Sequence, residues 1–261
     1  MTVLHPVQHE IATADGPLPG LLWLPEGACA DAPVPGIVLF QEIFGVGSYI
    51  QSRCADLAAL GYAVLAPQFF ARLRDGDGGN DGEVPVVEEA GADGLAEAMS
   101  LASRLDWAQA TRDGLAARDD LASMAGVNEE RVGLLGFCFG GGLAFDVAAS
   151  AAMAEAPVAA LVSFYGSSLP SLLPLAEQVQ CPSLHHFGDA DAYIPLESVE
   201  AIRDAVTAGG TRPQVRFEVY EGAGHAFDNP APLFHHAAAS AAAWSRTEAF
   251  LAEALPSRIG E

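Results

Sequence analysis

Residues 132–142 read Val-Gly-Leu-Leu-Gly-Phe-Cys-Phe-Gly-Gly-Gly. An apolar strand pattern runs into Gly-x-Cys-x-Gly, and an alanine-rich helical pattern follows from Leu143 to Ala152. This is the grammar of a nucleophile elbow, a sharp strand-to-helix turn that lifts one side chain above a sheet on a strained backbone. Gly136 and Gly140, two residues to either side of Cys138, leave room for the turn and for close helix–strand packing. The lifted residue is a cysteine, whose thiol ionises nearer neutral pH than a hydroxyl, and a helix N-terminus favours the thiolate. The alternative is a packing cysteine, since free Cys is often buried as a small hydrophobe.

Downstream segments decide between these readings. A short strand pattern, Ser183 to Phe187, leads into Gly188-Asp189-Ala190-Asp191-Ala192-Tyr193-Ile194-Pro195, and a second, Gln214 to Tyr220, leads into Glu221-Gly222-Ala223-Gly224-His225-Ala226-Phe227. The order is nucleophile, acid, histidine, as in α/β-hydrolase triads and unlike the two common serine-protease orders. Each candidate follows the C-terminal end of a strand pattern, where open α/β sheets place ligands. His225 is the expected base. His185 and His186 lie within a strand, point to opposite faces and read as packing. His235-His236 lacks the spacing of a metal motif.

The chain resembles the dienelactone hydrolase family. The resemblance rests on Gln41-Glu42-Ile43-Phe44-Gly45, the Gly-Phe-Cys-Phe-Gly-Gly elbow, Gly-x-x-Asp191-x-x-x-Pro195 and Gly224-His225-x-Phe227, and runs roughly from Pro33 to the terminal helix. It implies an α/β-hydrolase fold with a mostly parallel central sheet and helices on both faces. It also implies cleavage of a carboxylic ester or lactone through Cys138, His225 and Asp191, with a thioester intermediate and no cofactor. The family pattern selects Asp191 over Asp189, which becomes a turn residue. It gives Glu42 a part in controlling when the thiolate forms, and the backbone N–H groups of Ile43 and Phe139 the oxyanion hole. A non-catalytic ligand-binding or sensor protein on the same fold is the alternative. Thiol redox chemistry is disfavoured by the absence of Cys-x-x-Cys.

The chain departs from its dienelactone-cleaving relatives in one respect. Where they carry an arginine for the substrate carboxylate, after the Gly-His-x-Phe motif, this sequence reads Asp228-Asn229-Pro230, and Val84 to Ala98 has no arginine for the second contact. Arg72, Arg74 and Arg104 are the candidates to substitute. Arg72, Asn229 and Phe44 are taken as the substrate-contacting set, and a neutral substrate is at least as plausible as an anionic one.

Composition sets the outer bounds. The 261 residues carry 12 arginines, no lysine and 34 acids, for a net charge of −22. That balance argues against nucleic acid or anionic membrane as a partner and leaves a small molecule. Four scattered cysteines (29, 54, 138 and 181) fit reduced thiols in a cytoplasmic enzyme. The first residues do not read as a signal peptide, and no apolar run is long enough to span a bilayer. The expected assembly is a monomer or small homo-oligomer.

One domain over 1–261 is expected. Val7 to Ala12 and Leu21 to Leu24, joined by Asp15-Gly16-Pro17, read as a short antiparallel edge. Gly36 to Phe40 and Tyr62 to Ala66 read as buried parallel strands around a helix, Tyr49 to Leu60, stopped by Gly61. Arg72 to Gly94 is rich in glycine and acid and reads as a solvated loop or a flap over the site. Helical patterns occupy Leu95 to Leu105, Arg112 to Met124 and Ala237 to Ala254; Val158 to Tyr165 is a strand pattern.

Overall fold

The structure, a computed structural model, describes residues 5–73, 83–88 and 90–257. Its frame is one eight-stranded sheet built from β1 (Val7–Ile11), β2 (Leu18–Trp23), β3 (Val34–Phe40), β4 (Ala63–Pro67), β5 (Val127–Phe137), β6 (Leu161–Phe164), β7 (Ser183–Gly188) and β8 (Val215–Tyr220). The spatial order is β1-β2-β4-β3-β5-β6-β7-β8. β1 and β2 form the antiparallel edge, and every pairing from β4 through β3 to β8 is parallel. The central strands are buried on both faces, which explains their continuous apolar runs.

Helices cover both faces. α1 (Ser48–Ala59) and α7 (Ala237–Ala254) pack on one side, where Ile50, Cys54, Leu57, Ala243, Phe250 and Leu251 share a core with Ile37, Leu39 and Val162. α3 (Trp107–Ser123), α4 (Phe139–Met153) and α6 (Leu196–Thr207) pack on the other, against Val38, Phe40 and Leu134. α2 (Ala92–Ser103) sits apart from both. Its Ala98 joins Phe44 and Val87 in a small cluster above the strand ends. A one-turn helix, α5 (Leu169–Leu172), follows β6.

Several boundaries move relative to the sequence expectation. The β6 strand keeps four residues of the apolar run from Val158, and β5 starts five residues before Val132. The helical patterns at 95–105 and 112–124 begin earlier, at Ala92 and Trp107, the latter with Asp106 capping through Gln109 N at 2.7 Å. Part of the expected acidic loop, residues 74–82 and 89, lies outside the described residues. The described remainder is not purely solvated. Val87 is buried and its N–H donates to the Phe44 carbonyl at 3.0 Å, and the Glu88 carboxylate accepts from Ser48 N and Oγ at the start of α1.

The tightest joint is the elbow between β5 and α4. Cys138 has φ 54° and ψ −114°, a left-handed conformation that costs energy for a residue with a Cβ. A Cβ on Gly136 would lie 2.0 Å from the Gly140 carbonyl oxygen, and one on Gly140 would lie 2.3 Å from the Phe40 carbonyl oxygen. Neither neighbour can give way, because both are backbone. Gly140→Ala is therefore expected to lower the thermal midpoint by about 5 °C or more, from about 1–3 kcal/mol of overpacking. Circular-dichroism melting checks this, and an unchanged midpoint would mean that the crossing tolerates a methyl group.

Candidate active site

The ends of four strands converge on the elbow. β5 delivers Cys138, the loop after β3 delivers Glu42 and Ile43, the loop after β7 delivers Asp191, and the turn after β8 delivers His225. His225 Nε2 lies 3.1 Å from Cys138 Sγ, and its Nδ1 lies 2.7 Å from Asp191 Oδ2. Asp191 Oδ1 accepts from the backbone N–H groups of Tyr193 and Ile194, at 2.8 and 3.0 Å, so its loop folds around its own carboxylate. Asp189 is exposed and takes Gly222 N at 2.7 Å, tying the two loops together from outside. The rings of Tyr165 and Tyr193 flank His225, with centroids 5.3 and 5.1 Å away.

Burial pulls the His225 pKa down, but negative charge on the Cys138 sulfur and the bonds to Asp191 and Cys138 outweigh it and push it up to about 10. The pair is thus biased toward imidazolium beside sulfur. The N–H of Phe139 opens α4 and has no intrahelical acceptor, and neither it nor the N–H of Ile43 is engaged by another described residue. Both flank the sulfur-bearing turn, one from each of the two adjoining strands.

Glu42 is buried and 2 % exposed. Asn229 Nδ2 donates to its Oε1 at 2.7 Å, while Oε2 has no partner. Burial raises the Glu42 pKa, the Asn229 hydrogen bond and His225 lower it, and Asp228 raises it; the balance is a value of about 8.

Two cavities meet at Glu42 and Phe44. The smaller, of about 190 Å³, lies over Cys138 and His225 and is walled by Ile43, Leu95, Met99 and Phe234. The larger, of about 550 Å³, extends past Asn229 toward Ser48, Glu88 and Leu233. Among the described residues, no arginine lines either one. Phe44 lines both cavities and Asn229 the larger one. Arg72 lines neither. Its guanidinium is paired with the fully buried Asp113 through Nε and Nη2, both at 2.8 Å, and also donates to Thr13 Oγ1 and to the Gly16 and Asp15 carbonyls. A buried carboxylate needs that pairing, so Arg72 is withheld from the site. Arg104 donates to the Leu73 carbonyl, and Arg74 lies outside the described residues.

Three other histidines have structural partners. His186 contacts Tyr220 Oη and Thr247 Oγ1, His185 sits between Phe145 and Phe217, and the His236 side chain accepts from Ala239 N at the start of α7.

One participant has no counterpart in the sequence expectation. Asp228 is 1 % exposed, and its two oxygens take four donors: Arg53 Nε and Nη2 at 2.8 and 2.6 Å, Tyr49 Oη at 2.6 Å and Ser240 Oγ at 2.7 Å. This network pins the segment after His225 to α1 and α7. The contacts span 175 residues between Arg53 and Asp228, so no local spacing announces them.

The fold and this arrangement of strand-end loops define an α/β-hydrolase. The dienelactone hydrolase family model matches residues 18–255, and the chain belongs to that family. The match begins earlier than the motifs of the resemblance, at β2. Carboxymethylenebutenolidases of Pseudomonas putida and Pseudomonas knackmussii are 33% identical to it over 217 residues, 83% of this chain and 84% of each relative. A dienelactone hydrolase-like promiscuous phosphotriesterase from metagenomic libraries has a crystal structure that superposes with a TM-score of 0.76 at 25% identity, covering 97% of this chain and 99% of that one. The protein is an ester and lactone hydrolase of the dienelactone hydrolase type.

Asp228→Ala is expected to destabilise the fold by about 3 kcal/mol, because it removes two charge-assisted hydrogen bonds from Arg53 and leaves that guanidinium the exposed Asp56 as its carboxylate partner. Ser240→Ala should cost about 1 kcal/mol. Denaturant titration of both variants checks the ranking, and equal small losses would mean that the network does not hold the loop.

Proposed function

We propose that the protein hydrolyses a neutral carboxylic ester or lactone through Cys138, His225 and Asp191. The observation that carries this reading is the continuous chain of contacts, 3.1 Å from sulfur to imidazole and 2.7 Å from imidazole to carboxylate, beneath a cavity. The Cys138 sulfur attacks the acyl carbon, and the carbonyl oxygen gathers negative charge between the Ile43 and Phe139 N–H groups. As the tetrahedral adduct collapses, the acyl C–O bond breaks and the His225 imidazolium gives its proton to the departing alkoxide. His225 then takes a proton from water, whose oxygen attacks the thioester. The acid leaves and the sulfur is regenerated. Asp191 keeps the imidazole oriented and stabilises its charged form.

Neutrality of the substrate is argued from the walls. Asn229 stands where the family resemblance implies an arginine, Arg72 is committed to Asp113, and the wall over Cys138 is mostly apolar. A charge-assisted hydrogen bond is worth about 1.5–3 kcal/mol, or about one to two decades in specificity. Net charge of −22 adds a repulsive long-range field for an anion. The acyl or alkyl part of the substrate fits the apolar wall, and the larger cavity takes the rest.

Cys138→Ala is expected to lower kcat/KM by about 10⁴-fold or more. His225→Ala and Asp191→Asn should each cost about 10²–10⁴-fold, and Asp189→Asn far less. An activated ester should give a burst of alcohol equal to the enzyme concentration, abolished by iodoacetamide. Cys29 is also exposed, so labelling is followed by peptide mass, and only the Cys138 adduct should track inactivation. Near-normal turnover by the alanine variant would remove Cys138 from the mechanism.

For substrate charge, kcat/KM for neutral esters and lactones should match or exceed that for carboxylated dienelactones at low and high salt. A preference for the anion that survives high salt would place a cation at the site after all.

A further inference from the structure

The cavity over Cys138 is walled mostly by hydrocarbon. Leu95, Met99 and Ala102 face it from successive turns of α2, with Phe44 and Phe234 beside them. Few polar side chains reach it, and most are committed. His225 is engaged by Asp191 and Cys138 through its two nitrogens. Glu42 has one oxygen taken by Asn229 and the other buried out of reach. Tyr193 also lines the cavity, but the residue is 55 % exposed and its hydroxyl is open to bulk water. Ser167 is the exception.

Ser167 follows β6 in the loop before α5 and lines the same cavity as Cys138 and His225. Its backbone N–H donates to the Cys138 carbonyl at 3.1 Å, which ties its place to the nucleophile's own residue. Gly166, just before it, is packed against the first turn of α4; a Cβ there would lie 2.8 Å from Ser163 Oγ and 3.0 Å from the Gly141 carbonyl carbon. The backbone at this point has little freedom. The side chain is uncommitted. Ser167 is half-buried, and its Oγ makes no hydrogen bond to any described residue. Among the described residues, the side-chain polar atoms that are both unpaired and sealed from solvent belong to Glu42, Arg118 and His185. The Ser167 hydroxyl is therefore unpaired and open to a molecule in the cavity. Its neighbour Ser163 shows the contrast, with Oγ buried and donating to the Gly141 carbonyl at 3.0 Å.

We propose that Ser167 is a specificity-determining residue whose hydroxyl hydrogen-bonds an uncharged oxygen that the substrate carries close to its scissile carbonyl. The inference rests on the triad reading above and narrows its substrate to oxygenated esters and lactones. A hydroxyl both donates and accepts, so it fits a hydroxyl, an ether or a second carbonyl oxygen. Closeness to the scissile carbonyl follows from the backbone bond between Ser167 and Cys138. Discrimination arises when water leaves the cavity. A plain hydrocarbon substrate expels water and strands the Ser167 hydroxyl without a partner, whereas an oxygenated one replaces that water.

Matched substrate pairs test the proposal. γ-Butyrolactone is set against its α-hydroxy and β-hydroxy derivatives, p-nitrophenyl butyrate against p-nitrophenyl β-hydroxybutyrate, and ethyl butyrate against hydroxyethyl butyrate. For each pair kcat/KM is measured with the wild-type protein, Ser167→Ala, Ser167→Thr and Tyr193→Phe, counting the turnover that alkylation of Cys138 abolishes. Comparing the ratio of oxygenated to plain substrate between proteins cancels the intrinsic reactivities. In at least one pair that ratio should fall about tenfold in Ser167→Ala, the worth of one hydrogen bond in a desolvated site. Ser167→Thr, which keeps a hydroxyl, should retain most of the ratio, and Tyr193→Phe should not reproduce the fall. Ratios unchanged by Ser167→Ala in every pair overturn the proposal, even where all rates drop together, since that pattern belongs to a hydroxyl serving the hydrolytic water. A ratio that follows Tyr193 instead also overturns it. Thermal melting gives a readout independent of turnover. Loss of an unpaired hydroxyl should move the midpoint of Ser167→Ala by no more than about 2 °C, and a larger fall would reveal an internal partner and overturn the proposal. Turnover that survives alkylation overturns the triad reading and this proposal with it, whereas unchanged ratios in alkylation-sensitive turnover overturn the role of Ser167 alone.

Discussion

The crossing of the first turn of α4 over the end of β3 is the constraint on which the site depends. Gly140 approaches the Phe40 and Gln41 carbonyls so closely that a Cβ would lie 2.3 and 2.4 Å from them. This contact brings the residues just after β3, Glu42 and Ile43, beside the thiol-bearing turn. The strained backbone of Cys138 is held from several directions. Its N–H donates to the Phe164 carbonyl at 3.0 Å, and its carbonyl accepts from Gly141, Gly142 and Ser167. Gln41 anchors the other side, accepting from Phe69 N at 3.2 Å through its buried side chain. Strain at one residue persists because many bonds around it over-determine its position.

What the sequence discloses follows from what is local. The elbow, the strand patterns on either side of it and the terminal helix from Ala237 to Ala254 are contiguous signals of pattern and turn chemistry, and the structure has them within a few residues. The loops carrying Asp191 and His225 are legible because each follows a short apolar strand pattern, one buried and one at the half-buried sheet edge. Other features depend on pairings far apart in the chain. The Arg53–Asp228 and Arg72–Asp113 pairs join residues 175 and 41 positions apart, and Arg72 read from sequence alone is simply an arginine beside an acidic loop. The buried Asp113, within a helix that packs on the sheet, is the clue that it would need a cation. The helix Leu196–Thr207 is missing from the sequence expectation although Val199, Ile202 and Val206 repeat at helical spacing; charged residues between them and the Pro195 turn blur that pattern toward a loop.

Electrostatics in this chain work by withholding cations from the site. With 12 arginines against 34 acids, two guanidinium groups, Arg53 and Arg72, serve buried carboxylates. Arg53 neutralises Asp228 and also lies over the Trp244 ring at 4.2 Å, and Arg72 neutralises Asp113. Both pairs are structural: one fastens the loop after His225 to α1 and α7, and the other fastens α3 to the segment after β4. The same arginines therefore stabilise the scaffold and leave the cavities without a fixed positive charge among the described residues. A wall of that kind accepts uncharged groups at little desolvation cost and offers an anion no guanidinium, only the His225 imidazole already engaged by Asp191 and Cys138.

The two carboxyl groups nearest the sulfur show how environment divides one chemical group into two roles. Asp191 receives three donors, Tyr193 N and Ile194 N on Oδ1 and His225 on Oδ2. An acceptor-only arrangement of that kind suits an anion and gives the imidazole a fixed counter-charge. Glu42 receives a single donor, from an amide held in place by its own turn. Such divergence between neighbouring carboxyls is how a site runs acid and base chemistry at one pH. In this chain it comes from one position, Asn229. The Asn229 amide gives one oxygen of Glu42 a donor and leaves the other buried without one, whereas an arginine fork would take both oxygens.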